Sequence, residues 1–315
     1  MNFTLNVLGT ASAKPSANRN SSAQVLDVRG RLFLIDCGEG AQRQFCRQHL
    51  SFERVDAIFI SHIHGDHIFG LFGLLSTVGL ATRRASVRIF GPNSLGPVLK
   101  FFLSYFGEQL GISIDFTPVK TKAPEVIFEN KFMTVEAFPL NHRIETYGYL
   151  FREKTPQLNV CRSAIEEYGL GIAEICSLKN GEDVVRPGDD GATALRIPNA
   201  DVTFLPYRPR SFAYCSDTAP FPELPEWVRG VDVLYHETTY MVDMEKEAAA
   251  RYHSTTVQAA RCALEAGVGR LIAGHYSSRY RDTAPLLAEL CSIFPNSFAA
   301  NDGDVFDVPL ETFKK

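Results

Sequence analysis

The run Ser61-His62-Ile63-His64-Gly65-Asp66-His67 follows directly on the apolar residues 57–60. A short apolar run reads as a buried strand. That puts four potential metal ligands on a loop at the strand's carboxyl end, where α/β sheets place their ligand sites. Imidazole and carboxylate are the donors zinc takes outside thiolate sites. Gly65 permits a turn tight enough for neighbouring side chains to face different points. Four donors this close would saturate one ion. Divided into pairs they start two, and each pair then needs ligands from distant parts of the chain.

The same arrangement, a polar residue where an apolar strand ends, recurs in the second half. Residues 212–215 run into Ser216-Asp217-Thr218, 231–235 into His236-Glu237-Thr238-Thr239, and 270–273 into Gly274-His275. In the first half, 3–8, 23–28 and 31–35 read as strands. The last of these enters Asp36-Cys37-Gly38-Glu39-Gly40, a turn that opens a helix through Leu50. Strands alternating with helical stretches in both halves predict an α/β fold in which two similar units share one cleft, as in a four-layer αββα sandwich.

The chain has eight histidines. Three belong to the cluster, and four (His142, His236, His253, His275) fall in strand-end or loop contexts. His49, near a helix end, reads as an ordinary surface residue. His142 and His275 alone would read the same way, but completing two coordination shells calls on both. Asp217 is the natural carboxylate for two ions to share.

A formal net charge of −4 advertises no polyanionic partner, so any RNA contact must come from a local basic patch. The seven cysteines are odd in number and never spaced as a C-x-x-C pair, which speaks against a disulfide framework and for a reducing cytosol. Residues 68–81 form the longest apolar stretch, too short and too interrupted for a membrane helix, and read as a buried helix. The N-terminus lacks the pattern of a secretory signal, so a cytoplasmic protein is expected. Between Arg152 and Arg210, Gly, Pro and charges become frequent, as in 179–183 and 186–191, and apolar periodicity weakens. That stretch is either a long surface excursion or a protruding arm that touches a partner.

Beyond the histidine motif, Leu8-Gly9-Thr10-Ala11-Ser12-Ala13-Lys14-Pro15 with Arg19-Asn20-Ser21-Ser22, the Ile35–Gln42 segment, and His142 followed by Tyr147-Gly148-Tyr149 all resemble the ribonuclease Z family. So do Ser216-Asp217-Thr218, His236-Glu237-Thr238-Thr239, His253-Ser254-Thr255 and His275-Tyr276-Ser277-Ser278-Arg279-Tyr280, in the family's order. The family comprises tRNA 3′-processing endonucleases of the metallo-β-lactamase superfamily.

The resemblance implies a single αββα domain over 1–315, with an inserted tRNA-binding arm at about 152–200. It implies two Zn2+ per chain: one held by His62, His64 and His142, the other by Asp66, His67 and His275, with Asp217 bridging. It further implies precursor tRNA as substrate, a product ending in a 3′-hydroxyl, and a homodimer. The catalytic carboxylate falls on Asp66. His253 is expected as general acid, with Glu237 holding its ring or supporting a metal-bound histidine. The arm departs from the family at Gly169-Leu170-Gly171-Ile172-Ala173-Glu174, where a proline is expected. Arg19, Asn20, Arg279, Lys154 and Lys179 are the candidate RNA contacts. The alternatives are a phosphodiesterase or esterase for a small substrate on the same scaffold, and a metal-stabilised RNA-binding protein without catalysis.

Overall fold

A computed structural model describes residues 2–81, 86–187 and 194–313. It divides into two compact units. The larger comprises Met1–Arg152 and Ser211–Val308, the smaller Glu153–Arg210 and Pro309–Lys315.

The larger unit contains two seven-stranded sheets. The first runs, edge to edge, Val305–Asp307, Phe3–Gly9, Ala23–Val28, Arg31–Ile35, Val55–Phe59, Ser86–Pro92 and Ser113–Val119. The second runs Ser297–Ala299, Leu271–Gly274, Val233–Glu237, Ser211–Cys215, Tyr147–Glu153, Met133–Pro139 and Glu125–Glu129. Their inner faces share one core, where Phe33, Phe59 and Phe90 of the first sheet meet Phe128, Phe151 and Phe212 of the second. The outer face of the first sheet buries Phe45, Leu74, Leu75 and Leu99 from helices Ala41–Arg47, Leu71–Ala81 and Leu95–Phe106. The outer face of the second buries Ala260, Ala263, Leu286 and Leu290 from helices Thr256–Ala266 and Ala284–Ile293. The layers are helix, sheet, sheet, helix, the expected αββα sandwich.

Two helices differ from the sequence reading. The first stops at Arg47 rather than Leu50, because His49 takes a left-handed φ of 54°. Leu50 N–H then returns to Phe45 O and His49 N–H to Cys46 O, a Schellman-type cap. The 68–81 stretch is helical as one element only over Leu71–Ala81, Ile68 being the last residue of the preceding turn Gly65–Ile68, and only Leu71, Leu74, Leu75 and Val78 of the longer helix are buried. The break falls at Gly70, where a Cβ would stand 2.1 Å from Gly38 O. There the chain 37–38 crosses backbone to backbone, with Cys37 N–H on His67 O and Gly70 N–H on Cys37 O.

The smaller unit is folded rather than a bare excursion. Helices Arg162–Tyr168 and Ile172–Lys179 and two two-stranded sheets enclose a core of Cys161, Ala164, Leu170, Leu178, Val184, Ile197 and Val202. Its buried polar pair is Arg210 with Glu153, at 2.8 and 2.9 Å. The 169–174 segment is the turn between its helices: Gly169 caps the first at φ 55°, and Glu174 accepts Gly171 N–H at 2.8 Å. Arg186 clamps the turn by donating to both Glu174 oxygens and to Tyr168 O. Of the Gly/Asp-rich run, 188–191 lie outside the described residues. No described helix is long and apolar enough to cross a membrane.

Candidate metal centre

The carboxyl ends of parallel strands in both sheets bring the polar residues together. Arg31–Ile35 delivers Asp36, Val55–Phe59 the His62–His67 loop, Ser211–Cys215 Asp217, Val233–Glu237 its own terminal Glu237, and Leu271–Gly274 His275. Asp36 and His275 take left-handed φ values of 56° and 59° at these strand ends, which turns their side chains out of the strand path.

His62, His64, His142 and Asp217 form one donor cluster, and Asp66, His67 and His275 another. In the first, His62 Nε2 lies 3.0 Å from His64 Nδ1, which lies 3.4 Å from His142 Nε2. Asp217 Oδ2 stands 3.6 Å from His62 Nε2 and 3.9 Å from His142 Nε2. In the second, His67 and His275 Nε2 are 3.3 Å apart, and Asp66 Oδ2 lies 3.7 and 3.6 Å from them. Asp217 Oδ1 reaches this cluster, 3.4 Å from His67 and 3.1 Å from His275. Its two oxygens thus divide between the clusters.

The residues fit metal ions. Donors about 2.0–2.1 Å from a tetrahedral zinc lie about 3.3 Å from one another, the spacing found here. Asp217 Oδ1 is buried without a hydrogen-bond partner, although two imidazole nitrogens stand close by. An orphaned carboxylate oxygen among ring nitrogens is costly unless a cation completes the group. Protonation agrees. Burial pushes His62, His64 and His142 below the usual histidine range, to the neutral form that binds a metal. Burial opposes ionisation of Asp66 and Asp217, yet the surrounding imidazoles hold both carboxyls well below the usual carboxylate range. His67 is buried too, but Asp217, Asp66 and Asp36 draw it well above its usual value. A divalent cation answers the same negative field.

Three residues that the sequence reading did not single out orient the donors. Fully buried Asp36 accepts from His67 Nδ1 at 2.8 Å, leaving Nε2 to face the cluster, and also from Ser61 N–H, Ser61 Oγ and Tyr214 Oη. Thr239 Oγ1 lies 2.9 Å from His275 Nδ1 and donates to Glu237 Oε2 at 2.6 Å. Ala13 N–H donates to Asp66 Oδ2 at 2.6 Å. A signal for Asp36 existed, since it too follows a strand. Nothing in the sequence marks Thr239 above its neighbours.

Glu237 is fully buried and saturated. Oε1 accepts from Thr218 N–H, Ser254 N–H and His253 Nδ1, and Oε2 accepts from Thr239 N–H and Oγ1. It touches His253 directly at 2.8 Å and reaches His275 through Thr239. Although burial disfavours its charge, His253 is pushed up to about 9 by Glu237 and Asp217. His253 Nδ1 also lies 4.0 Å from Asp217 Oδ2, but Glu237 occupies that nitrogen, which leaves Nε2 for other chemistry. His236 stays apart, buried and bonded to Glu237 O.

His64, Asp66, His142, Asp217 and His253 open into one cavity of about 510 Å³. Its cations are Arg143 and Arg251, neither anticipated, although each lies within two residues of an expected site histidine. The expected phosphate contacts are elsewhere. Arg279 lies over the Tyr240 ring and bonds Ser277 Oγ. Arg19 bonds Tyr280 O at 2.7 Å and lies over Tyr276, and Asn20 is held by Asp302. Lys154 and Lys179 belong to the smaller unit.

A family model for the anti-Pycsar protein Apyc1 matches residues 3–155, and one for a beta-lactamase superfamily domain matches 192–276. A ribonuclease Z of Bacteroides fragilis is 42% identical over 300 residues, covering 95% of this chain and 97% of the relative. One of Cytophaga hutchinsonii is 40% identical over 308 residues, covering 98% and 97%. The crystal structure of the short form of human tRNase Z superposes with a TM-score of 0.70 at 24% identity, covering 97% of this chain and 99% of that one. With such identity sustained over nearly its whole length, the chain belongs to the ribonuclease Z family of the metallo-β-lactamase superfamily.

Proposed function

We propose that this protein is a zinc-dependent endoribonuclease that removes the 3′ trailer from precursor tRNA by attack of water on a phosphodiester, leaving a 3′-hydroxyl on the tRNA. The relatives' name carries the substrate. The division of Asp217 between two donor clusters carries the chemistry. His62, His64 and His142 would hold one Zn2+ and Asp66, His67 and His275 the other, with one Asp217 oxygen available to each group. A pair of zinc ions held there would supply a lowered pKa for water and neutralisation of charge on the phosphate.

The chain's own groups do the rest. Asp66, held ionised, orients the attacking water and accepts its proton. His253 is protonated at neutral pH and gives a proton from Nε2 to the departing 3′ oxygen, while Glu237 fixes the ring through Nδ1. Arg143 and Arg251 meet flanking phosphates. The smaller unit, which takes in most of residues 152–200, is the tRNA-binding arm, and its turn at 169–174 replaces the proline-containing segment of other members. The protein acts in the cytoplasm as a homodimer.

Zinc-loaded and chelator-treated protein, each incubated with a trailer-bearing precursor tRNA, tests this reading once the cut is mapped. Cleavage at the trailer junction by the loaded protein alone is the expected result. Hydrolysis of a small phosphodiester without cleavage of the precursor would overturn the substrate in favour of the small-substrate alternative.

A further inference from the structure

Phe69 is 69% exposed, although His67 and Ile68 in the same helical turn are buried. Exposure does not leave its ring unplaced. It packs against Gly65, where an added Cβ would stand 2.3 Å from the ring edge, and its N–H bonds Gly65 O at 2.9 Å. A large apolar face is thereby presented to solvent in the cavity that holds Asp66, Asp217 and His253. Exposed apolar side chains are common on this protein, and Phe69 is set apart by lining the same cavity as Asp66, Asp217 and His253.

Single-stranded nucleic acid is recognised by cations on its phosphates and by exposed aromatic rings on its bases. The same cavity offers Arg143 and Arg251 for the former and Phe69 for the latter. We infer that Phe69 is the stacking platform for an unpaired base flanking the scissile phosphate, a positioning residue for the substrate strand. The inference rests on the endoribonuclease reading and adds to it the feature that seats the RNA strand.

The test pairs Phe69→Leu and Phe69→Trp with precursor tRNA carrying an abasic nucleotide on one or the other side of the cut. The zinc content of each variant is measured alongside. Phe69→Leu, which keeps apolar bulk but loses the ring face, should lower kcat/KM about tenfold or more, mainly through KM. Phe69→Trp should restore it. On wild type, one of the two abasic substrates should cost a similar factor, and on Phe69→Leu that substrate should cost nothing further. Independent, multiplying penalties, or wild type indifferent to both abasic positions, would overturn the inference while leaving the endonuclease reading intact. Wild type unable to cut the intact precursor would overturn both.

Discussion

The two sheets furnish one site by different means. The first supplies His62, His64, Asp66 and His67 from one short segment, a loop and the helical turn Gly65–Ile68 that it opens, with buried Asp36 bonded to His67. The second supplies one functional residue from each of three parallel strand ends, Asp217, Glu237 and His275. The first arrangement is set by local turn geometry. The second depends on strand register, with Cys215 opposite His236 and Glu237 opposite Gly274. A one-residue slip would point every side chain of a strand to the other face, so the second half of the site is only as well formed as its sheet. Asp217 is where the two means meet.

Breaking that meeting point should have the largest effect. Asp217→Ala is expected to lose at least one zinc and to slow cleavage by more than about 10³-fold, since mutating supporting residues alone costs about 10–100-fold. Metal analysis still giving two zinc ions per chain would refute the bridge. His253→Ala removes the proposed general acid, a group of the second half that also lies within donor reach of Asp217 and His275. It should keep near-full zinc and slow cleavage by about 10²-fold. The sign of the pH dependence follows from the raised value of His253. As general acid it is competent while protonated, so kcat should fall as pH rises through about 9. Glu237→Gln, which removes a carboxylate that raises it, should move that limb to lower pH, and a limb unmoved in the variant would detach Glu237 from His253.

Smaller effects sharpen the comparison between the halves. Asp36→Asn and Thr239→Ala remove the supports of His67 and His275 respectively. Each should weaken zinc binding, Asp36→Asn toward about 100-fold and Thr239→Ala nearer tenfold, because a carboxylate orients and polarises an imidazole more than a hydroxyl does. Zinc titration against a competing chelator measures both, and equal losses would show that the two halves are supported alike. Arg143→Ala with Arg251→Ala should weaken RNA binding several-fold and make the slope of log affinity against log salt shallower by about two. An unchanged slope would remove both arginines from the phosphate contacts.

The contrast between the halves also explains what was legible in the sequence. The αββα layering could be read from apolar runs ending in polar residues, because strand ends are where such residues gather. That His62, His64, Asp66 and His67 would lie together was legible because they are contiguous, and Asp217 and His275, expected beside them to complete two shells, are brought within reach of them. Support and rim residues were less legible. Thr239 looks like any strand-end threonine until His275 is brought beside it by a parallel neighbour. Arg279 is adjacent in sequence to the site but turns onto Tyr240, whereas Arg143 reaches the cavity from a loop and Arg251 from the end of helix Glu245–Arg251, the two segments being joined through His142 Nδ1 on Tyr252 O and Arg143 on Ala250 O. All three arginines lie within four residues of an expected site histidine, so proximity along the chain does not by itself separate those that face the cleft from the one that does not. The smaller unit read as irregular because a core of seven small or medium side chains leaves little periodic signal.

Anomalous scattering at the zinc edge from crystals of the zinc-loaded protein tests the central claim most directly. Two peaks about 3.5–4 Å apart, with one Asp217 oxygen on each, are expected. A single peak, or two peaks that leave Asp217 unligated, would contradict it.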